Sequence, residues 1–79
     1  MTTPVALDCR GLRCPTPVIR LARLAATLPA GAVVEVAADD PAALSDVPAW
    51  CRLRGHEYAG RRDAEDGVPV LRIRLRGGP

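Results

Sequence analysis

The stretch Val5-Ala6-Leu7-Asp8-Cys9-Arg10-Gly11-Leu12-Arg13-Cys14-Pro15-Thr16-Pro17-Val18 changes its period part way along, from that of a strand to that of a helix. Val5-Ala6-Leu7 opens an extended segment that ends at Asp8-Cys9-Arg10-Gly11, where glycine permits a turn. From Pro15 onward the apolar residues Val18, Leu21, Ala22, Ala25 and Leu28 recur at helical spacing, with Arg20, Arg23 and Thr27 on the other face. The chain therefore starts as a strand followed by an amphipathic helix over 15–28, with Cys14 predicted as its N-cap.

Pro29-Ala30-Gly31 stops the helix, and the β-branched run from Ala32 to Ala38 predicts a second strand. Asp40 is a suitable N-cap and Pro41 a suitable first residue for a second helix reaching about Arg54. Pro48 costs an interior hydrogen bond, so a kink there, or a restart capped by Asp46, is expected. Gly55 closes that helix. His56 to Ala59 reads as a third strand, Arg61 to Gly67 as a charged hairpin loop, and Val68 to Arg76 as a fourth strand. In the last, Leu71, Ile73 and Leu75 share one face and Arg72, Arg74 and Arg76 the other. The order βαβαββ predicts an α/β (α+β) two-layer sandwich, a mixed four-stranded sheet with both helices on one face.

At 79 residues and 48% hydrophobic, the chain has material for a single domain, 1–79, and no second core. The net charge of +2 is too small for the dense phosphate neutralisation of a dedicated nucleic-acid binder, so direct nucleic-acid binding is not expected. The longest apolar run, Ala25 to Val34, is broken by Thr27, Pro29 and Gly31, so no membrane association is expected. An export signal is not evident, which leaves the cytoplasm as the expected location. Three cysteines cannot all pair within one chain, so at least one thiol is expected to be free.

Chemistry concentrates at Cys14-Pro15-Thr16-Pro17. With Cys14 at the helix start and two prolines lacking N–H groups, the amides of Thr16 and Cys14 are the donors left for a sulfur anion. The helix dipole and the nearby Arg10 and Arg13 are expected to lower the thiol pKa from ~8.5 into roughly 3.5–7.5, making Cys14 partly thiolate at neutral pH. A thiolate both attacks sulfur and leaves from it, which suits a residue that accepts a sulfur atom and passes it on. Arg10, Gly11, Arg13, Pro15, Thr16 and Pro17 are the candidate supports of this turn. Leu12 and Arg13 are candidates for partner docking, one as an apolar contact and the other as a steering charge. The competing reading makes Cys14 a tolerated small cap.

The segment Leu7 to Val18 resembles the signature of the TusA (SirA-like) sulfur-carrier family. Ala38-Asp39-Asp40-Pro41-Ala42, Asp46-Val47-Pro48-Ala49-Trp50-Cys51, Gly55-His56-Glu57, and Asp66-Gly67-Val68-Pro69 through Gly77-Gly78 resemble the same pattern in order and spacing. The resemblance implies a βαβαββ sandwich and a sulfurtransferase in which Cys14 takes persulfide sulfur from a cysteine desulfurase or rhodanese-like donor. It implies that the sulfur then goes to a downstream acceptor protein, in transfer RNA 2-thiouridine formation, molybdenum-cofactor supply or sulfur oxidation. Neither a cofactor nor a metal is implied, and a monomer is the simplest expectation. Two other readings compete: a non-catalytic regulatory or adaptor module of the same fold, and a small RNA-binding domain using the arginine face.

The remaining motifs read as structural. Cys51 and Trp50 are expected to fill the core, and His56 to serve at a strand start. The zinc-like spacing of Cys9, Cys14, Cys51 and His56 is set aside because a closed site would consume the thiol that the helix start makes available. A terminal thiocarboxylate on Gly77-Gly78 is set aside because Pro79 follows and the chain does not start as a β-hairpin. The Arg72, Arg74, Arg76 row, with Arg61 and Arg62 in the preceding loop, makes one sheet face basic; it is either simply solvated or a contact for an acidic partner or its RNA.

Overall fold

The structure, a computed structural model, describes residues 3–76. Its elements are β1 (Val5–Asp8), α1 (Thr16–Ala25), β2 (Val33–Ala37), α2 (Ala43–Arg54), β3 (Glu57–Asp63) and β4 (Pro69–Arg74), the order that periodicity predicts. The strands form one mixed sheet in the order β1-β2-β4-β3, with β1 parallel to β2 and the other pairs antiparallel. The tail Gly77-Gly78-Pro79 lies outside the described residues.

Alternation along the central strands separates the two faces. Val34 and Val36 of β2 and Leu71 and Ile73 of β4 are fully buried in one cluster with Leu21 of α1 and Val47 and Cys51 of α2. Both helices therefore cover the same face of the sheet, and among the described residues no element covers the other face, which carries Glu35, Arg72 and Arg74. No helix among the described residues is long and apolar enough to cross a membrane.

β2 and β4 are trimmed at both ends to Val33–Ala37 and Pro69–Arg74, α2 starts at Ala43 rather than Pro41, and three further departures from the sequence-based reading are larger. α1 begins at Thr16 and ends at Ala25, and residues 26–28 form a turn in which the Thr27 hydroxyl donates to the Leu24 carbonyl at 2.7 Å. α2 neither breaks nor restarts at Pro48: it runs unbroken from Ala43 to Arg54. Pro48 forgoes one hydrogen bond to the carbonyl of Leu44, and the burial of Val47, Trp50 and Cys51 around it holds the helix together. β3 extends to Asp63, so Arg61 and Arg62 sit in a strand rather than in the hairpin loop, which shrinks to the turn where Gly67 donates to Ala64 at 2.8 Å.

Gly55 ends α2 in the left-handed region at φ 76°, and the next amide, His56 N–H, donates to the Cys51 carbonyl at 2.8 Å. A Cβ built on Gly55 would meet nothing within 4 Å, so only its backbone conformation resists substitution. Gly55→Ala is expected to lower the unfolding free energy by about 1 kcal/mol, read from urea denaturation, with no change in the denaturant slope.

Candidate functional site

β1 and β2 are parallel, so their carboxyl ends lie side by side, and the segments that leave them meet. One segment carries Cys9 to Cys14 into α1, and the other carries Asp39 and Asp40 into α2. Asp39 accepts the Gly11 N–H at 3.1 Å, and Gly11 turns the chain at φ 78°. Asp40 accepts the Cys14 N–H through Oδ2 at 2.8 Å and the Ala42 N–H through Oδ1 at 3.1 Å, tying the entrances of both helices together. The Cys14–Pro15 peptide bond is cis. Gly11, Leu12 and Arg13 face Asp39, Asp40 and Pro41 across a cleft of about 310 Å³.

Three sequence expectations about Cys14 are corrected by this geometry. Cys14 is not the N-cap of α1: Pro15 holds that position without a side-chain cap, and Thr16 and Pro17 are the first helical residues. The two amides expected to face a sulfur anion are already engaged, Cys14 N–H with the Asp40 carboxylate and Thr16 N–H with the Arg13 carbonyl at 2.9 Å. The thiol is consequently not lowered toward a thiolate. Burial, then the neighbouring Asp46 carboxylate and the negative charge of Asp40, push Cys14 up to about 11.

The expected cationic support is also redistributed. Arg10 turns to the sheet side and pairs with Asp66 at 2.9 Å and Asp8 at 3.1 Å, away from the sulfur. Arg13 is exposed, and its charge acts on Asp40, whose carboxyl lies below its ordinary value because it accepts from Cys14 and Ala42 and then because Arg13 is near. Leu12 is partly buried against the core, which leaves Arg13 as the freer of the two docking candidates. Asp40 does not act as the last residue before α2. It caps the turn that leads into the helix, and Ala42 holds the N-cap position.

All three thiols are unpaired, but they differ in access. Cys9 and Cys51 are fully buried in the core, whereas Cys14 is only partly covered. Trp50 is 9% exposed and stacks on His56 with ring centroids 5.0 Å apart, as core filling predicts. His56 Nδ1 accepts the Arg76 N–H at 3.1 Å, a structural role at the start of β3. The residues that sequence reasoning left out of the site are Asp39, Asp40 and Asp46. The acidic pair at the end of β2 was their signal, because a strand parallel to β1 must deliver its C-terminal residues beside the turn that follows β1.

The two-layer sandwich presents one partly exposed thiol, Cys14, beside the carboxyl ends of its two parallel strands. The chain belongs to the sulfurtransferase TusA family, whose profile matches residues 5–75. Sulfur carrier protein TusA of Pseudomonas syringae pv. syringae is 39% identical to it over 74 residues, covering 94% of this chain and 87% of that protein. Sulfur carrier protein TusA of Pseudomonas entomophila is 42% identical over 68 residues, covering 86% of this chain and 84% of that protein. YrkF of Bacillus subtilis is 38% identical over 78 residues, and there the chain spans 40% of the relative's length. The crystal structure of the SirA-like protein from Desulfitobacterium hafniense matches with a TM-score of 0.80 at 27% identity, over 92% of this chain and 99% of that one. A carrier of this family works between a protein that gives sulfur and a protein that takes it.

Proposed function

We propose that the chain is a sulfur carrier whose sulfur rides on Cys14 as a persulfide, loaded by a cysteine desulfurase or rhodanese-like donor and handed to a downstream acceptor protein. The observation that supports it best is access: Cys14 is the one thiol of the three that a partner's cysteine can reach, the others being fully buried. In loading, the Cys14 sulfur, its proton released to solvent or to the donor, attacks the outer sulfur of the donor persulfide. A new S–S bond forms on Cys14 while the donor's S–S bond breaks and its electron pair leaves with the donor cysteine. In delivery an acceptor thiolate attacks the outer sulfur on Cys14, and Cys14 departs as the thiolate. The exchange needs no outside oxidant or reductant.

A thiol near 11 ionises rarely at neutral pH, but it is strongly nucleophilic once ionised and a reluctant leaving group. The free carrier is thereby kept both quiet and retentive, and transfer depends on the partner changing the surroundings of the sulfur. Transfer RNA thiolation, molybdenum-cofactor supply and sulfur oxidation are the candidate destinations.

Intact-protein mass spectrometry tests the reading directly. Reduced protein incubated with a cysteine desulfurase and cysteine, or with thiosulfate and a rhodanese, is expected to gain one labile sulfur that dithiothreitol removes. Cys14→Ser is expected to gain none. Equal loading of both proteins would move the sulfur to another thiol, and loading of neither with any donor would favour an adaptor of the same fold.

A further inference from the structure

The sheet face away from the helices carries a patterned charge that sulfur transfer does not use. Register across β2, β4 and β3 sets three rows on this face: Ala37 beside Val70 beside Arg62, Glu35 beside Arg72 beside Gly60, and Val33 beside Arg74 beside Glu57. The floor is apolar, with Val33, Ala37 and Val70 only 6%, 8% and 6% exposed although no helix covers them. Two shallow depressions of about 180 and 190 Å³ share Glu35, Arg62 and Val70 in their walls.

Arg62 is paired with Glu35 at 3.3 Å and Arg76 with Glu57 at 3.1 Å, whereas Arg72 and Arg74 are exposed and make no ion pair among the described residues. They stand two residues apart on an inner strand, so their Cα atoms are about 7 Å apart along β4 and their side chains leave the middle of the same face. With β1 included, where Asp8 stands beside Ala37 and Arg10 pairs with Asp8 and Asp66, the face holds five arginines against four carboxylates among the described residues, and the positive charge left without a partner is that of Arg72 and Arg74.

We infer that this open face is a second docking surface, and that its occupant is an acidic patch on a protein partner which binds Arg72 and Arg74 while leaving Cys14 accessible. Arginines over an apolar floor, with satisfied ion pairs at the flanks, are the composition of a protein interface. A nucleic-acid strand fits less well. Glutamates interrupt the basic row, and the aromatic residues that would stack bases are absent from the face, since Tyr58 and Trp50 pack into the core on the other side. Cys14, in the turn before α1, packs against the core on the helix side of the sheet, so a partner held on the opposite face leaves it uncovered, and the carrier can stay bound to one protein while another reaches its sulfur. The inference stands apart from the sulfur chemistry and survives if Cys14 carries no persulfide.

The test is a titration of the isotopically labelled chain, followed by amide chemical shifts, with poly-L-glutamate as the acidic probe and, separately, unfractionated transfer RNA at matched charge. Saturable shifts with poly-L-glutamate are expected at Glu35, Arg62, Arg72 and Arg74, with Leu12 to Cys14 unmoved. Affinity is expected to drop about tenfold in Arg72→Glu/Arg74→Glu and on raising the ionic strength, and to hold within about twofold in the charge-matched Arg20→Glu/Arg23→Glu control on α1. Equal losses in both double variants, or shifts spread over every basic surface, would overturn the inference as general charge attraction. Tighter binding of transfer RNA through the same residues would assign the face to phosphate, and concentration-dependent shifts without any probe would assign it to a second copy of the chain. Either would overturn the acidic-protein reading.

Discussion

Replacing Asp46 with asparagine is expected to speed the reaction of Cys14 with iodoacetamide at neutral pH by about tenfold. Burial is the largest cause of the raised thiol and remains in the variant, so only the part due to Asp46 is recovered. Asparagine keeps a hydrogen-bonding carbonyl but removes the negative charge that opposes ionisation. At about 11 the wild-type thiol is ionised at pH 7 in roughly one molecule in 10⁴, and each unit of relief multiplies that population tenfold. The measurement is the alkylation rate across pH, located on Cys14 by peptide mapping. Its inflection is expected to move to lower pH in Asp46→Asn and to stay in place in Ser45→Ala, one residue away. An unmoved inflection in Asp46→Asn would mean that burial alone sets the thiol.

The same shift fixes the sign of the alkaline limb of stability. A thiol raised from 9.0 to about 11 on folding binds its proton more tightly in the native state. Its contribution is therefore fully present below about 9 and lost as pH rises toward 11, and Cys51, raised to about 11 by burial, adds to it with the same sign. Denaturation midpoints are expected to decline across that window in wild type, and to decline less in Asp46→Asn.

Leu21→Ala is expected to cost about 2–5 kcal/mol of unfolding free energy. Within α1 only Pro17 and Leu21 are buried, and Leu21 is fully enclosed, so this one side chain anchors the helix to the sheet. A chain of this length is expected to be stable by roughly 4–12 kcal/mol, so the loss is a large share of the whole. The consequence reaches the site because α1 follows directly on Cys14. Urea denaturation measures the cost. Alkylation of Cys14 is expected to lose its raised inflection as the turn loosens from Asp40 and Asp46. A cost below about 1 kcal/mol would mean that Val18, Ala22 and Ala25 collapse onto the vacated space.

The two central strands were legible because their side chains alternate strictly: Val34 and Val36 against Glu35, and Leu71 and Ile73 against Arg72 and Arg74, leave only one register that buries the apolar set. α1 was legible in its apolar stripe but not in its ends, because Pro15 and Thr27 fit either a helix or a turn. At Pro48 the local rule offers a kink or a restart, and the helix does not restart. The cost of a missing hydrogen bond is fixed, whereas the packing of Val47, Trp50 and Cys51 that outweighs it depends on a sheet assembled from distant segments. β3 was cut short because Gly60-Arg61-Arg62-Asp63 has no apolar pattern, and only pairing with β4, around an irregularity between Tyr58 and Gly60, holds it extended.

The element order and the two-layer architecture follow from periodicity along the chain, while turn chemistry left Cys14 open between a reactive thiol and a small cap, and the resemblance of Leu7 to Val18 to a family signature singled it out. The tertiary structure alone decided the electrostatic state of that residue. Asp40 lies 26 positions from Cys14, and Asp46 farther still, yet the parallel pairing of β1 with β2 brings both to the sulfur, with Asp40 binding the amide that a local reading leaves free. A thiol's proton affinity answers to the charges and solvent within a few ångströms, whatever their distance along the chain, and that neighbourhood exists only once the crossover from β1 to β2 is made.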